Sequence, residues 1–196
     1  AQRHIIQRML QTLKIMLNNR DSQRKQFLIR RAEETDIPGI MSVMNEARND
    51  EKHPDWFVPD NERYIRNHLN GNGYVIVAES TEGGIAGFFL IKYPESEEDN
   101  LGTYLDFDRE QLTHVAVMDS AVVDSIYRGN GLQGRMLEAA ESLLDLDKYY
   151  YLMCTIHPDN QFSRNNMESH GYEVKKLALC YGGLPRCILL KNLRKS

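Results

Sequence analysis

The chain is poor in cysteine, and it has no apolar run long enough to cross a membrane. Its 196 residues include three cysteines, Cys154, Cys180 and Cys187, which form no Cys-x-x-Cys motif and cannot all pair with one another. No apolar stretch approaches the ~20 residues that a membrane-spanning helix needs. The first thirty residues also lack the apolar core and cleavage site of a secretory signal. We therefore expect a cytoplasmic protein with reduced thiols and no membrane span.

An excess of positive charge is missing as well. The 28 acidic residues outnumber the 24 Lys and Arg residues, which gives a formal net charge of −4. This balance argues against nucleic acid as a main partner. The length suits a single domain with a sizeable hydrophobic core.

The N-terminal 26 residues differ in charge from the rest of the chain. They contain six Lys or Arg residues and one Asp, whereas the remaining residues are strongly acidic. Apolar residues recur there at helical spacing; they are Ile6, Met9, Leu10, Leu13, Met16 and Leu17. The pattern predicts a basic amphipathic helix over residues 1–26, followed by one domain over residues 27–196. We expect the helix to pack on this domain or on a partner subunit, as in a homodimer, with an anionic membrane surface as the alternative.

The strongest functional signal is a strand, a glycine-rich loop and an amphipathic helix between residues 115 and 141. Three glycines, Gly129, Gly131 and Gly134, stand where the strand gives way to the helix, and Arg128 and Arg135 flank all three. The first N–H groups of a helix have no internal partner, and the helix dipole adds partial positive charge there. The segment is therefore predicted to bind an anionic ligand such as a pyrophosphate.

Two nucleotide-binding interpretations of these glycines fail on their context. Gly-x-Gly-x-x-Gly also marks dinucleotide-binding folds, which place an acidic residue ~20 positions further on, within a series of βαβ units. Here that position lies in the apolar stretch 149–156, and only 62 residues follow Gly134. A phosphate-binding P-loop needs a Lys-Ser or Lys-Thr pair after the glycines, and none is present.

Two segments of the chain resemble the signatures of the GNAT superfamily of N-acetyltransferases. Residues 121–133 are similar to motif A, a strand end followed by Arg/Gln-x-x-Gly-x-Gly/Ala: Arg128 and Gly131 match, while Gln133 stands at the last position with Gly134 directly after it. The family's next signature is Asn-x-x-Ala/Ser-x-x-x-Tyr-Glu-x-x-Gly-Phe/Tyr. Its matching residues are Asn160, Ser163, Glu168, Gly171 and Tyr172, with Met167 in place of the tyrosine. The resemblance covers roughly residues 27–193.

The resemblance implies an α/β (α+β) fold of GNAT type. Its central sheet is mixed, mostly antiparallel and six- to seven-stranded, is splayed between the fourth and fifth strands, and is flanked by helices. The residue pattern agrees with this order. Strands are predicted over 27–31, 74–78, 85–93, 115–123, 149–156, 177–181 and 186–190, with one helix starting at Thr35-Asp36 and another capped by Asp60.

In the GNAT superfamily, motif A holds the pyrophosphate of acetyl-coenzyme A, and the pantetheine arm lies along the preceding strand. The resemblance therefore implies a site for acetyl-CoA as co-substrate, with no metal. The implied cofactor-binding residues are Ala121, Val122, Val123, Arg128, Gly129, Asn130, Gly131, Leu132, Gln133, Gly134, Asn160 and Ser163. The backbone N–H near Val123 is expected to hydrogen-bond the thioester oxygen, whose negative charge grows during acyl transfer.

A base must remove a proton from the attacking amine, directly or through water. Asp119 is the first candidate, because strand alternation predicts that it shares a face with Ala121 and Val123. Its ~13 Å distance from Val123 along the strand favours a water relay. His157 is the second candidate. The structural alternatives are a hydrogen-bonded strand aspartate and an ordinary His-Pro turn.

The departing thiolate has no obvious proton donor, because Met167 replaces the tyrosine that is proposed to protonate it in much of the family. Ser163, Tyr127, Tyr172 or water are the alternatives. A donor is also dispensable, since a thiol has a pKa of ~8.5 and its thiolate is a tolerable leaving group.

The sequence thus predicts an enzyme, an acyltransferase that moves an acetyl group from acetyl-CoA to a primary amine of a small molecule or peptide. The amine is expected to attack directly in a ternary complex. Trp56 and Phe57, together with Asp50, Glu51 and the acidic loop 95–99, favour a cationic amine. The alternative is a catalytically weak acyl-CoA-binding sensor or interaction module, which Met167 and the basic N-terminal segment suggest.

Overall fold

A computed structural model of the chain describes residues 13–18, 24–49, 52–96 and 98–194. The strands in these ranges are β1 (Leu13–Asn18), β2 (Arg24–Arg31), β3 (Gly73–Ser80), β4 (Ile85–Lys92), β5 (Val115–Val123), β6 (Tyr151–Ile156), β7 (Glu173–Cys180) and β8 (Leu184–Asn192). The α-helices are α1 (Ile37–Arg48), α2 (Glu62–Asn67), α3 (Arg109–Leu112), α4 (Leu132–Ser142) and α5 (Gln161–Ser169). Short 3-10 turns lie at Glu34–Asp36, Leu101–Leu105 and Ser125–Tyr127.

The strands form one sheet in the order β1-β2-β3-β4-β5-β6-β8-β7. Neighbouring strands are antiparallel except for β5 and β6, which run parallel. The predicted mixed, mostly antiparallel sheet is confirmed. It has one strand more than the predicted six to seven, because β1 extends the edge beside β2.

The prediction of a helix over residues 1–26 is wrong for residues 13–18 and 24–26, which form β1 and the start of β2. Leu13, Ile15 and Leu17 recur at the two-residue spacing of a strand as well as at helical spacing. Pairing with β2 decides between the two patterns, since it covers an edge that would otherwise present unpaired backbone groups. Residues 1–12 and 19–23 lie outside the described residues, and the predicted boundary after residue 26 falls inside β2.

Helices cover both faces of the sheet. Helix α1 begins after Asp36 and has Pro38 in its first turn, as the sequence predicts. It packs on one face through a stripe with helical spacing: Ile37, Ile40, Val43 and Met44. Helix α4 packs on the opposite face through Leu132, Gly134, Met136, Leu137 and Ala140.

Strands β5 and β6 diverge after only three residue pairs, from Val115↔Tyr151 to Val117↔Met153. Beyond this point β5 remains paired with β4 as far as Val123, while β6 remains paired with β8. The predicted splay between these strands is confirmed. The divergence leaves a wedge-shaped opening in the middle of the sheet.

A β-bulge interrupts β5 where the opening starts. Leu90 of β4 pairs with Ser120, and Ile91 pairs with Met118, so Asp119 is an extra residue on the β5 side. A bulge of this kind reverses the alternation of side chains beyond it.

The bulge separates Asp119 from the residues predicted to share its face. Ala121 and Val123 pack on the α4 side of the sheet, whereas Val122 packs on the α1 side. Asp119 and Ser120 both bond to the α2 segment on the α1 side. The predicted common face of Asp119, Ala121 and Val123 is therefore wrong, because the inserted residue shifts the two-residue period by one.

Gly87 of β4 lets this strand lie close to the end of β5. A Cβ atom at position 87 would lie 2.8 Å from the carbonyl oxygen of Val122 and 3.1 Å from Cε of Met136. We predict that Gly87→Ala lowers the free energy of unfolding by about 1–3 kcal/mol, because the added methyl group overpacks this contact. Urea denaturation measures the change, with Glu82→Ala in the exposed turn of the same hairpin as the control. An unchanged unfolding free energy for Gly87→Ala would contradict this tight packing of β4 on β5.

Candidate active site

A cavity of about 710 Å³ occupies the opening between β5 and β6. One end, here called the glycine-loop end, is lined by Val123, Arg128, Gly129, Gly131, Leu132, Gln133, Gly134, Asn160, Ser163 and Asn166. The other end, here called the bulge end, is lined by His53, Trp56, Asp60, Tyr64, Asp119, Ser120, Thr155, His157, Tyr181 and Arg186. The two ends therefore belong to one continuous space.

The glycine-loop end takes its shape from Gly129 and Gly131, whose φ angles are +86° and +70°. Residues with a Cβ rarely adopt this conformation. A Cβ at either position would meet nothing within 4 Å, so the space in front of both is open. Gly131 is the N-cap of α4 and supplies no side-chain cap. The first N–H groups of this helix are thus available to an anion.

Helices α4 and α5 meet at Gly134. A Cβ there would lie 3.0 Å from Oδ1 of Asn166 and 3.1 Å from the ring of His170. The Nδ2 atom of Asn166 is buried and has no hydrogen-bond partner, although the residue lines the cavity. An unsatisfied buried donor costs about 1–3 kcal/mol, and a ligand that accepts from it would remove this cost. The sequence gives no sign of Asn166, because its position depends on the contact between the two helices.

The backbone of the last β5 residues faces the opening. Asp124 donates its N–H to the carbonyl oxygen of Ala86 in β4, at 2.7 Å. Successive residues of a strand direct their N–H and C=O groups to opposite sides. The backbone groups of Val123 and Ala121 therefore point away from β4, to the side from which β6 has diverged. This is the orientation that the predicted role of Val123 requires.

Two carboxyl groups lie next to each other at the bulge end. Tyr64 donates its hydroxyl to Oδ2 of Asp119 at 2.7 Å, and Ser120 donates its hydroxyl to Oδ2 of Asp60 at 2.6 Å. Loss of hydration raises the pKa of Asp119, although the hydrogen bond from Tyr64 opposes the shift. Loss of hydration also raises the pKa of Asp60 to about 6, the bond from Ser120 opposes this shift, and the negative charge of Asp119 adds to it.

Asp60 is not the cap of α2 that the sequence predicts. The cap is Asn61, whose side chain accepts the N–H of Tyr64 at 2.9 Å. Both residue types suit an N-cap, and a start one residue later leaves Asp60 to turn towards Ser120. The sequence pattern thus indicates a structural role for Asp60 and gives no sign that Asp60 or Tyr64 lies in the site.

A buried lysine accompanies the two carboxyl groups. Lys92 of β4 forms an ion pair with Asp99 and lies 5.8 Å from the centre of the Tyr64 ring. Its positive charge lowers the pKa of both Asp119 and Asp60. The bulge end is thus a mixed-charge network and not a simple acidic patch.

A stack of aromatic rings forms another wall of the bulge end. The centres of the His53 and Trp56 rings are 3.7 Å apart, and those of Trp56 and His157 are 5.8 Å apart. Nδ1 of His157 accepts the N–H of Asp159 at 3.2 Å, so in the neutral ring the proton resides on Nε2. A ring in this state donates at Nε2 and does not accept a proton there. The geometry therefore favours the predicted alternative, a turn histidine, over a base.

The segment that resembles the second family signature forms the start of α5. Asn160 is the N-cap, and its side chain accepts the N–H of Ser163 at 3.1 Å. Met167 is buried in the core. Tyr172 is also buried and donates its hydroxyl to Glu141 at 2.8 Å, so it is not available to a thiolate in the cavity. Tyr127 and Ser163 do line the cavity.

The structure brings together nearly all of the predicted site residues. The four predicted catalytic residues line the cavity: Asp119, Val123, His157 and Ser163. The predicted cofactor residues do so as well, with the exception of Asn130. Asn130 instead donates its side-chain amide to the carbonyl oxygen of Tyr127 at 2.9 Å, which stabilises the loop. Their chemical roles remain predictions.

The described ranges contain no group of three or more His, Cys, Asp or Glu side chains placed to hold a metal ion. None of their helices has both the length and the apolar composition to cross a membrane. Cys154, Cys180 and Cys187 are free and buried, and burial raises the pKa of the Cys154 thiol.

Comparison with known proteins identifies the family. The sequence model of the acetyltransferase (GNAT) family matches residues 41–172, which include the glycine loop, the opening and α5. The chain therefore belongs to the GNAT family and is an acyltransferase, and membership of this family assigns acetyl-CoA as its acyl donor. No curated protein sequence matches the chain at a significant level.

Solved structures of acetyltransferases share the fold at low sequence identity. An N-acetyltransferase from Staphylococcus aureus Mu50 is 16% identical, with a TM-score of 0.65 over 86% of this chain and 99% of that chain. A ribosomal-protein-alanine N-acetyltransferase from Brucella melitensis is 21% identical, with a TM-score of 0.64 over 85% and 99%. A chain of the NatC complex, solved with Gag peptide and CoA bound, is 16% identical, with a TM-score of 0.65 over 86% and 99%.

The pKa of Asp60 leads to a prediction about stability. Because the folded-state pKa is raised from 3.8 to about 6, the stabilisation by protonated Asp60 is complete below about pH 4 and is lost as the pH rises through about 6. Asp60→Asn keeps an acceptor for Ser120 and removes the charge. We predict that this variant is more stable than the wild type by about 1–2 kcal/mol at pH 7.5, and no more stable at pH 4. Thermal unfolding at the two pH values tests this, and an equal effect at both would contradict it.

Proposed function

We propose that the chain transfers the acetyl group of acetyl-CoA to a primary amine, which attacks the thioester directly in a ternary complex. One observation carries the proposal: a single cavity joins an anion-binding helix start to a pair of carboxyl groups, with outward-facing backbone of β5 between them. Donor and acceptor can therefore meet on this backbone without a covalent enzyme intermediate. The cytoplasmic location, the homodimer and the lack of a nucleic-acid partner remain predictions.

The glycine-loop end fits the donor. The open space in front of Gly129 and Gly131 suits a diphosphate held by the first N–H groups of α4 and by the charge of Arg128. The unpaired Nδ2 of Asn166 supplies a further donor to the same end. The backbone of Ala121 and Val123 is available to pair with the amides of a pantetheine arm, as with an added strand. When bound, acetyl-CoA supplies the acetyl group and a thiol leaving group.

The backbone N–H of Val123 has the role of an oxyanion donor. It faces the opening because the backbone of Asp124 is bonded to β4, and its strand is held in place by β4 throughout. A fixed donor of this kind stabilises the oxygen that gains negative charge as the amine attacks. Loss of one such donor costs about 2.7–4 kcal/mol in other acyl-transfer enzymes.

Asp119 has the role of general base. Its raised pKa brings it closer to neutral pH than an ordinary carboxylate, which makes it a better proton acceptor. The bulge turns it to the opposite side of β5 from Val123, so a water molecule in the cavity must carry the proton from the amine. Asp60 lies beside it and accepts a hydrogen bond from the hydroxyl of Ser120.

The thiolate leaves without a protein acid at the position of Met167. This side chain is 4% exposed and packs in the core, so it contributes packing and no proton. A thiol pKa of ~8.5 makes an unassisted departure feasible at neutral pH. The same observation favours the second candidate function, a catalytically weak acyl-CoA-binding module. Release of free thiol from acetyl-CoA across a broad amine panel distinguishes the two, because a binding module gives none.

The donor site is tested at Gly131. We predict that Gly131→Val abolishes binding of acetyl-CoA in isothermal titration calorimetry, because the side chain enters the open space and strains a backbone with φ of +70°. Gly83→Val is the matched control, since Gly83 has a φ of +94°, has equally open space and lies in a remote hairpin. The control should lose stability but keep binding. Unchanged binding by Gly131→Val would show that the diphosphate lies elsewhere.

The base is tested at Asp119. We predict that Asp119→Asn lowers kcat by about 10²- to 10⁴-fold and leaves the dissociation constant of acetyl-CoA unchanged. Tyr64→Phe removes the hydrogen bond that lowers the pKa of Asp119. Because the active form is deprotonated, the acidic limb of the pH–rate profile should then shift to higher pH. A full rate in Asp119→Asn, or an unmoved acidic limb in Tyr64→Phe, would assign the base to another group.

A further inference from the structure

A buried arginine at the bulge end has no role in the steps described so far. Arg186 of β8 is 2% exposed and lines the cavity. Its guanidinium donates to the carbonyl oxygens of Pro185 at 2.8 Å and Asp55 at 2.7 Å. It lies 5.6 Å from the centre of the Tyr181 ring.

The charge of this guanidinium is not balanced by an ion pair within the described residues. No carboxylate in the described part of the chain lies within ion-pair distance of Arg186. A guanidinium has five N–H donors. Among the described residues, Arg186 donates two hydrogen bonds, both to neutral backbone carbonyls. A buried charge without a counter-ion is costly. An anion bound in the cavity would offset that cost.

Arg186 and the proposed base share a neighbour, Tyr181. Both Asp119 and Arg186 act on the hydroxyl of Tyr181, whose pKa rises to about 12, mainly through loss of hydration. Tyr181 shares a hydrogen bond of 2.8 Å with Thr155 on β6. Arg186 also holds the carbonyl of Asp55, the residue before Trp56 in the aromatic stack. A small molecule in the bulge end would therefore meet a carboxylate, an aromatic wall and a guanidinium.

Two carboxylates of the acidic loop that suggested a cationic acceptor are already paired with lysines of the protein. Glu95 accepts the hydroxyl of Tyr149 at 2.8 Å and lies 3.2 Å from the ammonium of Lys148. Asp99 pairs with Lys92. Asp50 and Glu51 lie outside the described residues. Among the described residues that line the cavity, Arg186 thus adds a buried positive charge with no carboxylate within ion-pair distance.

We propose that the acceptor is an amine that also carries a carboxylate, such as an amino acid, and that Arg186 binds this carboxylate. This inference rests on the proposed amine acetylation. The planar fork of a guanidinium matches a carboxylate with two parallel hydrogen bonds. With its carboxylate held there, the amine reaches the thioester from the bulge end. The nitrogen bonds to the acetyl carbon, the C–S bond breaks, the thiolate leaves, and the amine proton passes through water to Asp119.

The experiment compares matched acceptors that differ only at the carboxylate. A panel of L-amino acids, their primary amides and the corresponding decarboxylated amines is incubated with acetyl-CoA, and free thiol is measured. We expect kcat/KM for an accepted amino acid to exceed that for its amide by about 10- to 100-fold, the range of a charged hydrogen bond of 1.5–3 kcal/mol. In Arg186→Met the ratio should fall to near one. Arg186→Lys should retain part of the preference for the amino acid over its amide. Lys175→Met on exposed β7 should leave the ratio unchanged.

The ratio of kcat/KM for the acid to that for the amide distinguishes binding of the carboxylate by Arg186 from a purely structural role of Arg186. If Arg186 only held the Asp55 carbonyl in place, its loss would lower turnover of the acid and the amide alike. If Arg186→Met does not fold, Arg186→Lys must lower the ratio by itself. The inference is overturned if wild-type protein acetylates the amides as well as the acids, or if the Arg186 variants keep the preference. It is also overturned if only amines without a carboxylate react. Failure to bind acetyl-CoA, by contrast, would overturn the proposed function itself.

Discussion

The early divergence of β5 from β6 is the constraint on which the rest of the structure depends. A strand in the middle of a sheet normally bonds on both sides, but the last residues of β5 bond only to β4. Backbone groups within a protein must find partners, and those of Ala121 and Val123 find none in β6. The fold thus leaves backbone N–H and C=O groups of β5 unpaired and oriented towards a cavity. The helices on both faces keep β5 in place, so the groups stay open to a ligand.

The bulge at Asp119 turns this opening into a site with two distinct ends. Strict alternation along β5 would place Asp119 on the same face as Val123, against the α4 side. Because of the bulge, Asp119 and Ser120 instead face Tyr64 of α2 and Asp60 just before it, which bond to them. The proposed general base, Asp119, and the proposed oxyanion donor, the N–H of Val123, therefore lie on different sides of β5. The cost is a pair of poorly hydrated carboxyl groups, partly compensated by Lys92.

The parts of the fold that follow from local pattern could be predicted from the sequence. The glycine loop, the seven strands after residue 26 and the splay all follow from spacing and from family resemblance. The bulge could not, because nothing in residues 115–123 marks an inserted position. Asp60 and Arg186 were missed because they reach the site through contacts between distant parts of the chain, such as Ser120 with Asp60. The helix predicted over Leu13–Asn18 is wrong because the apolar residues there fit both periods, and pairing with β2 decides between them.

A crystal structure of the protein with acetyl-CoA tests the central claim most directly. The account predicts the diphosphate at the first turn of α4, the pantetheine arm along Ala121 and Val123, and the thioester oxygen about 2.7–3.1 Å from the nitrogen of Val123. A bound donor that lies outside the opening, or a β5 that has closed onto β6 along its whole length, would contradict it.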